Sequence, residues 1–236
     1  MGRKKILVSL TTLSSMYKMN LDSSWESKIE EIKENHLEEI SLFLTGLEKD
    51  ERVKLYKALE KTPIKRIPHV HLRADMDYDE LDYLVQKYHT EVFNSHSTRD
   101  WPLLHDYGKY MAKIYLENGE TVPTQDELDK FAGICIDFAH WKDSQLRGDS
   151  TSCREMENIV DKYKIGCSHV SAIKSQLTLS ALGEIKYDSH ILEDMRELDY
   201  VEDYKKYLSG IICIELENPI GEQLKAKEYL EKIINR

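Results

Sequence analysis

The feature that most constrains this chain is a rhythm: a short apolar run, then a charged amphipathic stretch, repeated to the end. The apolar runs are 4–12, 37–46, 66–75, 90–97, 113–120, 133–141, 165–174 and 210–219, eight in all. Between them lie segments whose apolar residues recur at three and four, at 23–36, 48–61, 76–89, 153–164 and 222–236. Continuous apolar strands separated by amphipathic helices describe a parallel sheet covered by helices, and eight such units predict a closed (β/α)8 TIM barrel. An open doubly wound sheet is the alternative. No Gly-rich phosphate turn follows any of the runs, and the first ends in Ser-Leu-Thr-Thr.

Composition narrows the functional classes. The 236 residues are 41% hydrophobic and 32% charged, enough for a sizeable core and too apolar for disorder, and no linker divides them, so one domain over 1–236 is expected. Lys plus Arg number 33 against 43 Asp plus Glu, a formal charge of -10, which argues against a protein built to hold a long stretch of DNA or RNA. No window approaches a membrane span, and the start runs straight into a strand rather than a signal peptide, so a soluble cytoplasmic protein is expected. The cysteines, Cys135, Cys153, Cys167 and Cys213, form no CxxC pair and read as reduced thiols.

In a parallel barrel, reactive side chains gather where the strands end. Those places here carry His69 and His71; Asn94 and His96; Glu117 and Asn118; Asp137 and His140; His169; and Glu215 and Glu217. Residues two apart on a strand share a face. His69 and His71 therefore point the same way, and Cys135, Cys167 and Cys213 each lie one layer beneath Asp137, His169 and Glu215. The expected picture is thiols filling the barrel interior under a ring of carboxylates and imidazoles. Such a ring is costly unless a positive ion sits among the carboxylates, and a divalent cation does this while leaving positions open for substrate.

These residues resemble the xylose isomerase-like TIM barrels, a family of sugar isomerases and epimerases that also includes endonuclease IV-type DNA repair enzymes. The resemblance runs from about residue 37 to 219 and rests on Glu117 in YLENG, Asp137 and His140 in CIDFAH, His169 in CSHVS, Asp188 and His190 in YDSH, and Glu215 in CIELEN. It implies one divalent metal (manganese, cobalt or zinc) held by Glu117, Asp137, His169 and Glu215, and up to three metals on the endonuclease branch. There, a second zinc would use His69 or His71 with a histidine of the fourth strand, and a third would use His140, Asp188 and His190. The fourth strand departs from that pattern, with Asn94 at the aligned place and His96 two residues on. Ile191-Leu192-Glu193-Asp194 replaces the family's Gly-x-Gly turn, and the loops read as short, without the basic and aromatic insertions that bend DNA.

The first reading is therefore a metal-dependent isomerase or epimerase of a small sugar or sugar phosphate, with Glu117 and Glu215 moving a proton next to a carbonyl. His140 and His190 would bind substrate hydroxyls. Lys174 would meet a phosphate or stand solvated in its loop, and Trp141 would wall the pocket or pack a helix. A zinc phosphoesterase resembling endonuclease IV (an AP endonuclease) ranks second, with DNA then the substrate. A non-catalytic metal- or ligand-binding barrel is the third reading. Enzymes of this family often pair, so a homodimer is a further expectation of the resemblance.

Overall fold

The computed structural model describes residues 4–12, 24–179 and 183–235. The start of the chain, the first residue of the helix expected from 23 and the last residue of the one expected to 236 lie outside the described residues. Each apolar run forms a strand: β1 (Lys5–Leu7), β2 (Ser9–Thr11), β3 (Glu39–Phe43), β4 (Arg66–His71), β5 (Val92–Ser95), β6 (Ile114–Glu117), β7 (Ile134–Asp137), β8 (Ile165–Val170) and β11 (Ile211–Ile214). The nine strands form one all-parallel sheet in the order β1-β11-β8-β7-β6-β5-β4-β3-β2. β1 and β2 are consecutive pieces of one stave, broken at Val8: the first half pairs with β11 and the second with β3. Nine strands thus close as eight staves, the expected TIM barrel.

Where β2 parts from β11 the ladder needs other partners. The fully buried Gln223 supplies them from the last helix. Its Oε1 accepts from the Ser9 amide at 2.8 Å, and its Nε2 lies 3.1, 3.1 and 2.9 Å from the carbonyls of Ser9, Leu216 and Asn218. Higher on the same seam the buried Lys28 Nζ donates to Thr11 Oγ1 and to Glu217 Oε2, the latter at 3.1 Å.

The covering helices are α1 (Trp25–Glu34), α2 (Lys49–Leu59), α3 (Tyr78–Tyr88), α4 (Gln125–Leu128), α5 (Phe138–Arg147), α6 (Ser150–Val160) and α7 (Ile220–Ile234). Five of these seven N-termini are capped by side chains, at Ser24, Asp77, Thr124, Asp137 and Asp149. Two apolar clusters result. A large one fills the space between staves and helices; a small one of Leu7, Phe43, Val92, Tyr115, Cys135, Cys167, Ile211 and Cys213 fills the barrel itself. The three barrel thiols are free and buried, as the alternation predicts.

The loops are not uniformly short. After β8 the chain breaks at Ser171 and runs into an antiparallel hairpin of β9 (Ala172–Leu179) and β10 (Ile185–Ser189), followed by a 3-10 helix at Met195–Tyr207. The expected seventh run at 165–174 therefore contains the whole of one strand and the start of another. The helix expected over 153–164 begins earlier, because Gly148 ends α5 at φ 73° and Asp149 caps α6. Among the described residues no helix is long and apolar enough to cross a membrane.

Candidate metal centre

Register places the site. Glu117 lies opposite Cys135, Asp137 opposite His169, and His169 opposite Cys213, so the ends of β6, β7, β8 and β11 turn their side chains toward one point. One ligand atom each from Glu117, Asp137, His169 and Glu215 lie within 4.8 Å of one another, and all four residues are buried. His169 Nδ1 is central, 3.2 Å from Glu117 Oε1 and 3.0 Å from Glu215 Oε2. The latter is an ion-pair distance off the direction of a hydrogen bond, so Glu215 Oε2 stays without one. Asp137 Oδ2 is also buried without a hydrogen bond, whereas Oδ1 accepts from the His140 amide at 2.9 Å. Asn118 holds Asp137 in place from β6: its Oδ1 accepts from the Asp137 amide at 2.8 Å and its Nδ2 donates to the Asp137 carbonyl at 2.9 Å.

Three carboxylates thus surround one imidazole, and the electrostatics follow. Burial opposes ionisation of Glu117 and Glu215, but His169 outweighs it, holding Glu117 well below the usual carboxylate range and Glu215 at about 2. Burial likewise opposes charging of His169, yet Glu117 and Glu215 raise it well above its ordinary value. Asp137 is pushed up by burial, with Glu117 and Glu215 adding to the rise. One imidazolium does not balance three carboxylates. Orphaned, buried oxygens on Asp137 and Glu215 are what a divalent cation would satisfy, and the oxygen-rich donor set with one imidazole suits such an ion.

Five further histidines, His69, His71, His96, His140 and His190, divide between two neighbouring groups. His71 Nε2 is 3.3 Å from Glu117 Oε2, its ring centre is 4.8 Å from that of His96, and ligand atoms of His71, His96 and Glu117 also lie within 4.8 Å of one another. His96 is thus brought to the site, while Asn94 donates to Glu117 Oε2 and has its Oδ1 2.7 Å from His69 Nε2. His69 sits deeper, fully buried, with Nε2 3.1 Å from His169 Nε2. Burial and then the neighbouring His169 and His71 hold His69 well below its ordinary value, and burial with His71 beside it takes His96 to about 4. Phe43 packs against the His69, His71 and His169 rings at 5.2, 5.8 and 5.0 Å.

On the other side, Asp188 arrives on β10 of the hairpin, not on a barrel stave. Its Oδ2 is 3.4 Å from His140 Nδ1, and His190 Nε2 is 3.8 Å from Glu215 Oε1. Lys174 does not stand free: its ammonium is bound by Glu193 at 3.0 Å and Glu197 at 3.0 Å. Trp141 is buried and lies 5.0 and 5.6 Å from the Tyr204 and Tyr207 rings, a helix-packing position. Arg73 and Asp75 pair with each other at 2.8 Å. Asn118, Lys28 and Gln223 complete the mouth and its seam. Asn118 was visible as a strand-end polar residue, but nothing in a helical pattern marks Lys28 or Gln223 as inward-reaching.

No protein-family profile and no curated protein matches the sequence. Solved structures do match over nearly the whole chain. The probable 3-DHS dehydratase AsbF involved in petrobactin synthesis from Bacillus anthracis covers 99% of both chains at 14% identity and a TM-score of 0.51. The IolI protein, solved with a zinc atom, covers 97% of this chain and 98% of its own at 11% identity and the same TM-score of 0.51. The chain folds as a TIM barrel. At these identities the likeness establishes the fold, and the chemistry has to be argued from the side chains.

Proposed function

We propose that this chain is a divalent-metal-dependent isomerase or epimerase that moves a proton next to the carbonyl of a small sugar or sugar phosphate. The observation that carries the reading is the buried convergence of Glu117, Asp137, His169 and Glu215 at the barrel mouth. These four would hold the ion, manganese, cobalt or zinc. When bound, it supplies Lewis acidity to the substrate's carbonyl oxygen.

Glu117 and Glu215 reach His169 Nδ1 with separate oxygens from two different staves, so each flanks the centre independently. One would remove the proton from the carbon beside the carbonyl and the other would return one. Asp137, fixed by Asn118 and by its cap on α5, would serve as ligand only. His140 and His190 would orient substrate hydroxyls, since each has a nitrogen near a carboxylate and neither is fully enclosed in the barrel. A phosphate on the substrate would have to compete with Glu193 and Glu197 for Lys174.

The His71, His96 and Glu117 group favours a second reading. With the His140 and Asp188 pair on the opposite side, it would give the additional zinc positions of a phosphoesterase resembling endonuclease IV, acting on phosphodiesters such as abasic DNA.

The test is carbon-bound hydrogen exchange. Metal-loaded protein in heavy water, given a panel of aldoses, ketoses and their phosphates, should place deuterium next to the carbonyl. Glu215→Gln should slow that exchange by at least about 100-fold. Hydrolysis of phosphodiesters without any exchange would move the reading to the phosphoesterase. Turnover of neither class would leave a ligand-binding barrel.

A further inference from the structure

Beneath the carboxylates lie the thiols of Cys135, Cys167 and Cys213, all free and fully buried. Cys135 alone of the three falls, among the described residues, in a group with metal-ligand geometry: its Sγ, an oxygen of Glu117 and a nitrogen of His169 lie within 4.8 Å of one another. Register explains why. Cys135 is the direct neighbour of Glu117 across β6 and β7, and Asp137, two residues on, is the direct neighbour of His169 across β7 and β8. Glu117 and His169 therefore belong to two overlapping donor sets. The upper one adds the oxygens of Asp137 and Glu215; the lower one adds a sulfur.

We propose that Cys135 is a metal ligand, forming with Glu117 and His169 a second, deeper seat that draws thiophilic divalent ions (zinc, cobalt, cadmium) one layer into the barrel. The inference rests on the mouth being a metal centre and deepens that reading. A thiolate, an imidazole and a carboxylate make a three-donor set that suits zinc with one position left open, whereas manganese and magnesium prefer the upper oxygen set. Binding at the lower seat replaces the Sγ–H bond by an Sγ–metal bond and releases one proton to solvent. Because Glu117 and His169 are common to both seats, one ion occupies one seat at a time, and the identity of the metal decides how far Asp137 and Glu215 are freed. Cys167 and Cys213 stay as packing.

The experiment uses the full chain loaded with one ion at a time. Zinc X-ray absorption on the wild type should show one sulfur neighbour at about 2.3 Å. The cobalt form should show a sulfur-to-metal charge-transfer band in the near ultraviolet. Cys135→Ser should abolish that band while still binding cobalt, and should weaken cadmium at least about tenfold with manganese changed less than about twofold. Cys167→Ser, buried in the same layer, should keep the band and serves as the packing control. Bound zinc with only oxygen and nitrogen neighbours, or a band that survives Cys135→Ser or vanishes in Cys167→Ser, would overturn the proposal. If Cys135→Ser does not fold, the wild-type zinc spectrum still decides. A chain that binds no divalent ion would instead overturn the metal centre itself.

Discussion

Asp137 divides its two oxygens between fold and site: Oδ1 caps α5, and Oδ2 is buried without a hydrogen bond. The two roles separate by substitution. Asparagine is as good a cap as aspartate but a poor ligand, so Asp137→Asn should lose manganese while unfolding in urea, with chelator present, close to the wild-type midpoint. Asp137→Ala should lose manganese and also about 1 kcal/mol of stability. At this scale the sequence was readable where chemistry repeats with strand period: Glu117, Asp137, His169 and Glu215 were each marked by type at a strand end. It was silent where two candidates share a face. His69 and His71 both point inward, and only their heights separate them, with His71 level with His96 and Glu117 and His69 one layer down beside His169. Lys28 was hidden for another reason, since a lysine on an amphipathic helix looks solvated until a partner such as Glu217 is found nearly two hundred residues away.

Elements fit because particular positions are small or charged. Gly166 on β8 faces Tyr115 on β6, and a Cβ there would come within 2.3 Å of the ring. Gly166→Ala should cost about 1–3 kcal/mol in urea unfolding, and Tyr115→Leu should recover part of that loss. The capping box of α4 makes a pH prediction. Burial would raise Glu127, but hydrogen bonds from Thr124, Ser97 and Thr98 take it from 4.5 down to about 2. A lowered carboxyl stabilises the fold above its unfolded value, and that contribution is lost as pH falls from about 4.5 toward about 2. The stability gap between wild type and Glu127→Gln should therefore shrink between about pH 5 and pH 3, as followed by denaturation at each pH. Helices and staves were legible from periodicity. The β9–β10 hairpin carried a signal too, the alternation of Leu177 and Leu179 with Gln176 and Thr178, but it adjoins a strand with only Ser171 between and reads as its continuation.

For the whole molecule, closure of the barrel depends on a residue no pattern announces. Gln223 stands in for the missing ladder between β2 and β11, so Gln223→Ala takes its partner from the buried amide and carbonyl of Ser9 and from the Asn218 carbonyl, while the Leu216 carbonyl keeps only the Thr11 hydroxyl at 3.2 Å. It should cost at least about 2 kcal/mol in urea unfolding and loosen the seam that carries Lys28 and Glu217. The same closure gathers carboxylates from three staves around His169, which is why an ion is central to the account. The measurement that tests this most directly is metal content by mass spectrometry, after equilibration with manganese, the ion that favours the upper oxygen set, and desalting. About one equivalent of manganese per chain is expected for the wild type, falling to near zero in both Asp137→Ala and Glu215→Ala. A wild type that retains no ion, or both variants retaining the full equivalent, would contradict the site.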